Sequence, residues 1–217
     1  MVRIDLVSLV MVALLLVVSS CTDSRDSSPT EPQRVESVVT QSFAAGDTIR
    51  VVVDNFVGTI TVKAGSSDSV NVVATKYAET DQQLSQIQLQ MTEGQDSLIV
   101  SATNPLNFSN AGVDLEITAP PDARFTVILG VGNLSYEGRP KGEHSYDIGV
   151  GNILCFWPVD VNVAIRVRVA VGGLSIEFPV DYTSSPTMQS VEGTIGSGDE
   201  GAVRAQVAVG EIHLRRQ

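Results

Sequence analysis

Cysteine is nearly missing from this chain, with only Cys21 and Cys155. That excludes a small domain stapled by several disulfides, so stability has to come from packing. Histidine is as scarce, with His144 and His213 alone, too few for a histidine-rich metal or catalytic centre. Aromatic residues make up 5% of the chain, including a single tryptophan, which leaves little for stacking on sugars or bases. Basic residues are outnumbered, 14 Lys and Arg against 25 Asp and Glu, for a net charge of −11. A field of that sign opposes general attraction to nucleic acid or to anionic headgroups. No apolar run reaches the ~18 residues that a membrane-spanning helix needs.

What the chain does have begins at its start. Arg3 supplies a basic opening, partly offset by Asp5, and Leu6 to Val18 is an apolar run interrupted only by Ser8. This has the length of the apolar region of a secretory signal. It closes on Val18-Ser19-Ser20-Cys21, which resembles the bacterial lipobox: an aliphatic residue, two small residues and an obligatory cysteine. The resemblance implies a signal peptide over residues 1–20, cleavage before Cys21, and a diacylglyceryl thioether on that cysteine. Two or three acyl chains at ~0.8 kcal/mol per buried methylene hold a protein firmly, where one chain does not. Thr22, rather than Asp, follows the cysteine and points to the outer membrane, with Asp23 one place later. Residues 21–36 are polar and carry two prolines. Such a stretch buries too little to offset its ordering entropy, so a flexible tether is expected.

From residue 37 onward the sequence reads as one all-β domain reaching residue 217. Thr48 to Val53, Thr59 to Lys63, Ser69 to Val73, Val113 to Ile117 and Phe125 to Leu129 all alternate with period two. In Val161 to Val171 every odd position is aliphatic, and the even positions are polar or alanine. Such alternation sets one face in a core and the other in water, and the β-branched content suits strands. Within Glu79 to Gln90 the second half alternates, so a strand preceded by a helical turn is expected there.

A short unit then recurs: Val131-Gly132-Asn133-Leu134, Val150-Gly151-Asn152-Ile153, Val171-Gly172-Gly173-Leu174 and Val209-Gly210-Glu211-Ile212. Val57-Gly58-Thr59-Ile60 is an early cousin, and Val191-Glu192-Gly193-Thr194-Ile195 a variant. Counting Gly193, the glycines from 132 to 210 are 19, 21, 21 and 17 residues apart. Near-equal spacing is the mark of a repeat architecture. The expectation is a single β-solenoid-like domain with coils of about 20 residues. Each coil would turn at its glycine and send Ile or Leu inward to stack on the equivalent residue of the next coil; a β-sandwich with similar hairpin turns is the alternative. Thr118-Ala119-Pro120-Pro121, the strand from Phe125 and the succession of Gly-x-Ile/Leu units resemble the bacterial putative-adhesin domain family. Asp54-Asn55 and Gly58 to Val62 resemble its opening strands. The likeness spans roughly residues 45 to 215 and implies a β-solenoid-like fold with a non-enzymatic role in the cell envelope.

Few residues stand out as sites. Gly196-Ser197-Gly198-Asp199-Glu200-Gly201 matches G-x-G-x-x-G, but its two carboxylates are wrong for a dinucleotide cradle. Asp199 and Glu200 are hard oxygen donors yet few for calcium, so a solvated turn is expected. Leu154 and Phe156 break the alternation of Ile153 to Trp157 and would point outward as a partner patch, unless the chain itself covers them. Cys155 reads as a buried small hydrophobe, His144 as part of a Lys-Gly-Glu-His turn, and His213 as solvated. No catalytic triad or carboxylate pair emerges, and no cofactor or metal is expected. The reading is an envelope lipoprotein held to the membrane through Cys21, acting as a binding, adhesion or structural module. Its partner would be an unidentified protein or glycan, and not a nucleic acid. The alternative is a carbohydrate-active enzyme on the same scaffold. A cluster of carboxylates in a flank groove would favour the enzyme, and a smooth uncharged flank the module.

Overall fold

The computed structural model describes residues 34–45, 48–65, 68–183 and 189–217. The residues read as a signal peptide, Cys21 and most of those read as a tether lie outside them. In chain order the elements are β1 (Val35–Ala44), β2 (Arg50–Ala64), β3 (Ser69–Ala78), α1 (Asp81–Gln86), β4 (Gln88–Glu93), β5 (Ser97–Thr103) and β6 (Gly112–Ala119). Then follow β7 (Arg124–Glu137), β8 (Gly142–Trp157), β9 (Val163–Ile176), β10 (Asp181–Tyr182), β11 (Ser190–Ile195) and β12 (Gly201–Arg216). The strands form one large mixed sheet that does not close. The helical turn before β4 is capped by Thr80, whose hydroxyl accepts from the Gln83 N–H at 3.2 Å.

The centre of the sheet is a parallel stack in the order β2, β7, β8, β12, β9. These strands run 14 to 16 residues, well beyond the usual five or six, because each contains two strand halves joined at a glycine corner. The corner changes which residues face the core. In β7, Phe125, Val127 and Leu129 are buried before it, and Leu134 and Tyr136 after it. A straight strand would have sent Leu134 to the surface. The corner resets the alternation so that both halves bury their aliphatic sets, as Ile148 and Ile153 do in β8 and Val207 and Ile212 in β12.

Gly58, Gly132, Gly151, Gly210 and Gly172 lie in one row across the five strands. Their φ angles run from 137° to 145°, a region open to glycine. A methyl group on Gly132 would sit 1.8 Å from the Gly58 carbonyl oxygen; on Gly151, 1.6 Å from that of Gly132; on Gly210, 1.7 Å from that of Gly151. Each glycine leaves the space that its neighbour's carbonyl fills. The bend also diverts backbone N–H groups from the ladder, and side chains one place after the glycines meet some of them. Asn133 Oδ1 accepts from the Asn152 N–H at 3.1 Å, and Asn152 Oδ1 from the Glu211 N–H at 3.0 Å. At the outer strand of the stack, Asp114 Oδ1 accepts from the Thr59 N–H at 2.7 Å.

At β2 the sheet forks. Its first half pairs with β5 and its second half with β6, while β7 runs along its whole other side. The β5 arm continues to β4, and the β6 arm to β3 and β1. Asn55 lies buried in the crotch, in line with Leu129, and its amide donates to the Val113 carbonyl at 2.8 Å. A buried polar side chain there replaces a ladder bond that neither arm can supply.

Two expectations about the repeat are corrected. The coils do not stack in sequence order, because β12 enters between β8 and β9. Gly193 is not a corner of the stack either. It lies on β11, which runs antiparallel to β9, and faces Ile165. Its spacing mimics the repeat, but the chain there is a straight return strand whose glycine packs against the Asp181 backbone. In β9 itself Leu174 and Ile176 are only partly buried, since β12 alone flanks that half.

Gly151→Ala is expected to destabilise the protein by more than about 3 kcal/mol, from a forbidden φ and a clash with backbone. Gly173→Ala has its nearest neighbour 3.7 Å away and should shift stability by less than about 1 kcal/mol. Urea unfolding of the two variants checks the contrast.

Candidate binding surface

The outward residues of the first strand halves form cross-strand rows. One row reads Val52, Thr126, Ser145, Arg204, Arg166, Glu192 across β2, β7, β8, β12, β9 and β11. Beside it, Ala202 and Ala164 are neighbours on β12 and β9. Two small side chains among long ones leave a depression, a groove of about 570 Å³ walled by Arg50, Glu143, Arg204, Arg166 and Glu192. Arg166 pairs with Glu192. Arg204 stands between Ser145 and Arg166, is exposed, and has no ionic partner among the described residues. Like charges on adjacent strands repel, so the row holds one compensated and one uncompensated guanidinium.

Glu143 and Glu192 are the carboxylates of the groove wall. They sit on β8 and β11, with β12 and β9 between them, so their backbones stand three strand spacings apart, about 14 Å. Glu192 is already held by Arg166.

Under the groove lies an aromatic cluster that the sequence did not suggest. His144 is buried, its Nε2 lies 3.1 Å from the Lys141 carbonyl and its Nδ1 3.0 Å from the Tyr146 hydroxyl. The carbonyl can only accept, so Nε2 carries the proton and Nδ1 accepts from the tyrosine. Phe125 stacks on the imidazole and Tyr136 meets it edge-on. His144 is therefore a neutral core residue within β8 and not part of a turn. Burial, more than the repulsion from Arg124, holds its pKa down to about 4, against the opposing pull of the Lys141 carbonyl. Cys155 is fully buried and its thiol is pushed up by desolvation.

Leu154 and Phe156 do point outward on the second half of β8, each partly buried. In their rows Leu154 lies between Ser135 and His213, and Phe156 between Glu137 and Arg215. His213 faces Glu211 at 2.9 Å. At the corner a third outward set is aliphatic: Val131, Val150, Val209 and Val171 are neighbours, 46% to 61% exposed.

The Gly196 to Gly201 loop has a structural task. It carries the chain from β11 across the start of β9 to β12. Glu200 accepts from Arg139 Nη1 at 2.9 Å and from the Asn162 N–H at 3.1 Å, and Asp199 accepts from the Ser197 hydroxyl at 2.6 Å. Arg139 also reaches Asp160 at 2.5 Å. Among the described residues no three His, Cys, Asp or Glu side chains gather as a metal site. Arg139, which fastens this crossover, carried no motif and could not be singled out from sequence.

No family model matches the chain, and no curated protein is significantly similar. Among solved structures, a "putative cell adhesion protein" from Clostridium sporogenes superposes with a TM-score of 0.54 at 11% identity, covering 85% of this chain and all of the other. A "putative adhesin" from Bacteroides fragilis is 12% identical with a TM-score of 0.26, covering 82% of this chain and 96% of the other. A "putative lipid binding protein" from Parabacteroides distasonis is 6% identical with a TM-score of 0.26, covering 81% and 96%. The first likeness defines the class: an all-β, putative-adhesin-like fold.

His144 sets a pH dependence. Below about pH 6.5 the unfolded chain takes up a proton that the folded one refuses until about pH 4, so stability is full above that window and falls as pH drops through it. The loss is on the order of 3 kcal/mol. Urea unfolding at pH 7 and pH 4 should show a drop larger by that amount in the wild type than in His144→Gln. Equal drops would refute the assignment.

Proposed function

We propose that the protein is a membrane-anchored lipoprotein of the cell envelope, held through Cys21, whose all-β domain is a non-enzymatic binding or adhesion module. The observation that carries this is the outer face of the parallel stack. It is a broad surface of paired strands with a charged groove, in which Arg204 has no ionic partner among the described residues. Fixed strands suit recognition, because their side chains are ordered before any ligand arrives. The groove is charged, unlike the smooth flank expected of a module. Yet its two carboxylates stand on strands three spacings apart, and Glu192 is already engaged by Arg166, so the charge favours binding over hydrolysis.

Two finer readings belong to the proposal. Each long strand with its corner and return turn acts as a coil, so the stack is solenoid-like, with antiparallel strands closing its ends. The lipobox-like Val18 to Cys21 and the polar stretch after it set the domain off the membrane, with the outer membrane as the expected site. The adhesion named for the Clostridium sporogenes protein fits this role.

In a bacterial host, the full chain should incorporate labelled palmitate and sediment with membranes, and Cys21→Ser should lose both properties. A mutant that is still acylated and membrane-bound would overturn the anchor. Protease shaving of intact cells, beside a detergent-lysed control, assigns the face: digestion in intact cells means outward display, protection means the periplasm.

A further inference from the structure

We infer that the groove over Ala164 and Ala202 is a site for a carboxylate-bearing glycan, a polymer of uronic-acid type. The inference rests on the binding-module reading and adds its ligand class. Arg204 and Arg166 lie side by side on β12 and β9, and among the described residues Arg166 is offset by Glu192 while Arg204 has no ionic partner. An uncompensated guanidinium beside another charge of its own sign is unfavourable until an anion joins it. A planar carboxylate fits the guanidinium fork in bidentate fashion. Arg50 lies on β2, three strands from β12, about 14 Å away, where it can take a second carboxylate farther along the same polymer.

The remaining lining favours sugar over peptide. Thr126, Ser145 and Thr194 line the groove, and hydroxyl side chains suit the many donors and acceptors of a polyol. The lining's one aromatic ring is the imidazole of His144, which is buried and bonded at both nitrogens. Recognition through stacking on a neutral sugar is therefore not what this groove offers; charge and hydrogen bonds are. An acidic peptide would bind a sheet most readily by adding a strand at an edge. Here β12 and the first half of β9 are paired on both sides, so no backbone edge opens into the groove. The chain's overall charge of −11 repels polyanions at long range, so binding must come from these short-range contacts.

The test is calorimetric titration of the full chain in detergent with an oligogalacturonate, its methyl-esterified form and poly-glutamate. The acid sugar should bind at least about tenfold more tightly than the ester, as expected for the loss of one charge-assisted contact. Arg204→Gln should weaken the acid sugar by a similar factor with an unchanged thermal melt. Arg215→Gln, on the other half of β12, should leave it unchanged. Equal affinity for acid and ester, an unaffected Arg204→Gln, or tighter binding of poly-glutamate would each overturn the inference. Failure to bind the sugar while the wild type still binds intact cells overturns the glycan alone; failure of both counts against the binding module itself.

Discussion

Everything in the central stack depends on one steric fit: the carbonyl of each corner glycine occupies the place where the next one's side chain would begin. Because the gap between a missing methyl and a neighbouring oxygen would be under 2 Å, the five glycines form a chain of mutual requirements and not five separate turns. The fit holds the corners in register, and the register holds the two halves of every strand over a common core. The asparagines beside the glycines follow from the same bend, since a corner that breaks the ladder leaves N–H groups for side chains to meet.

The sequence disclosed the composition of this arrangement better than its order. Alternation located the strands, and the Gly-x-Ile unit located the corners, because those residues answer to local backbone geometry. Leu134, Ile153, Ile212 and Ile60 all face inward as the motif implies. Spatial order answers to long-range pairing, which leaves no local trace. Gly193 could thus pass for a corner, and nothing near Gly172 reveals that β12 will lie beside it. Asn133 and Asn152 were visible as part of the unit, but not as acceptors for the next strand's backbone. His144 was misread because a Lys-Gly-Glu-His stretch looks like a turn, whereas the turn ends at Gly142 and the histidine is already the third residue of β8.

The candidate surface was less legible still. Leu154 and Phe156 could be seen to face outward, since they interrupt a pattern. Arg204, Arg166 and Ala164 each keep the alternation, and only the meeting of β12 with β9 makes them a group. A strongly acidic chain also conceals a local cluster of arginines, since net charge averages over surfaces that a ligand meets one at a time.

The position of β12 has a further consequence, for how the molecule assembles. It is the last strand in sequence yet an interior one, seated between β8 and β9. Until it arrives, both of those strands present an open edge with unpaired backbone groups. The pairing of β12 with β8 joins residues 59 apart, as Gly201 with Gly142, and closing such separations is slow. An exposed pair of strand edges is also a template for another chain. The stretch before β12 arrives is therefore the time of greatest hazard, and a chaperone that shields those edges would act then. In the finished fold the Arg139–Glu200 clasp fixes the start of β12 where the chain has crossed β9.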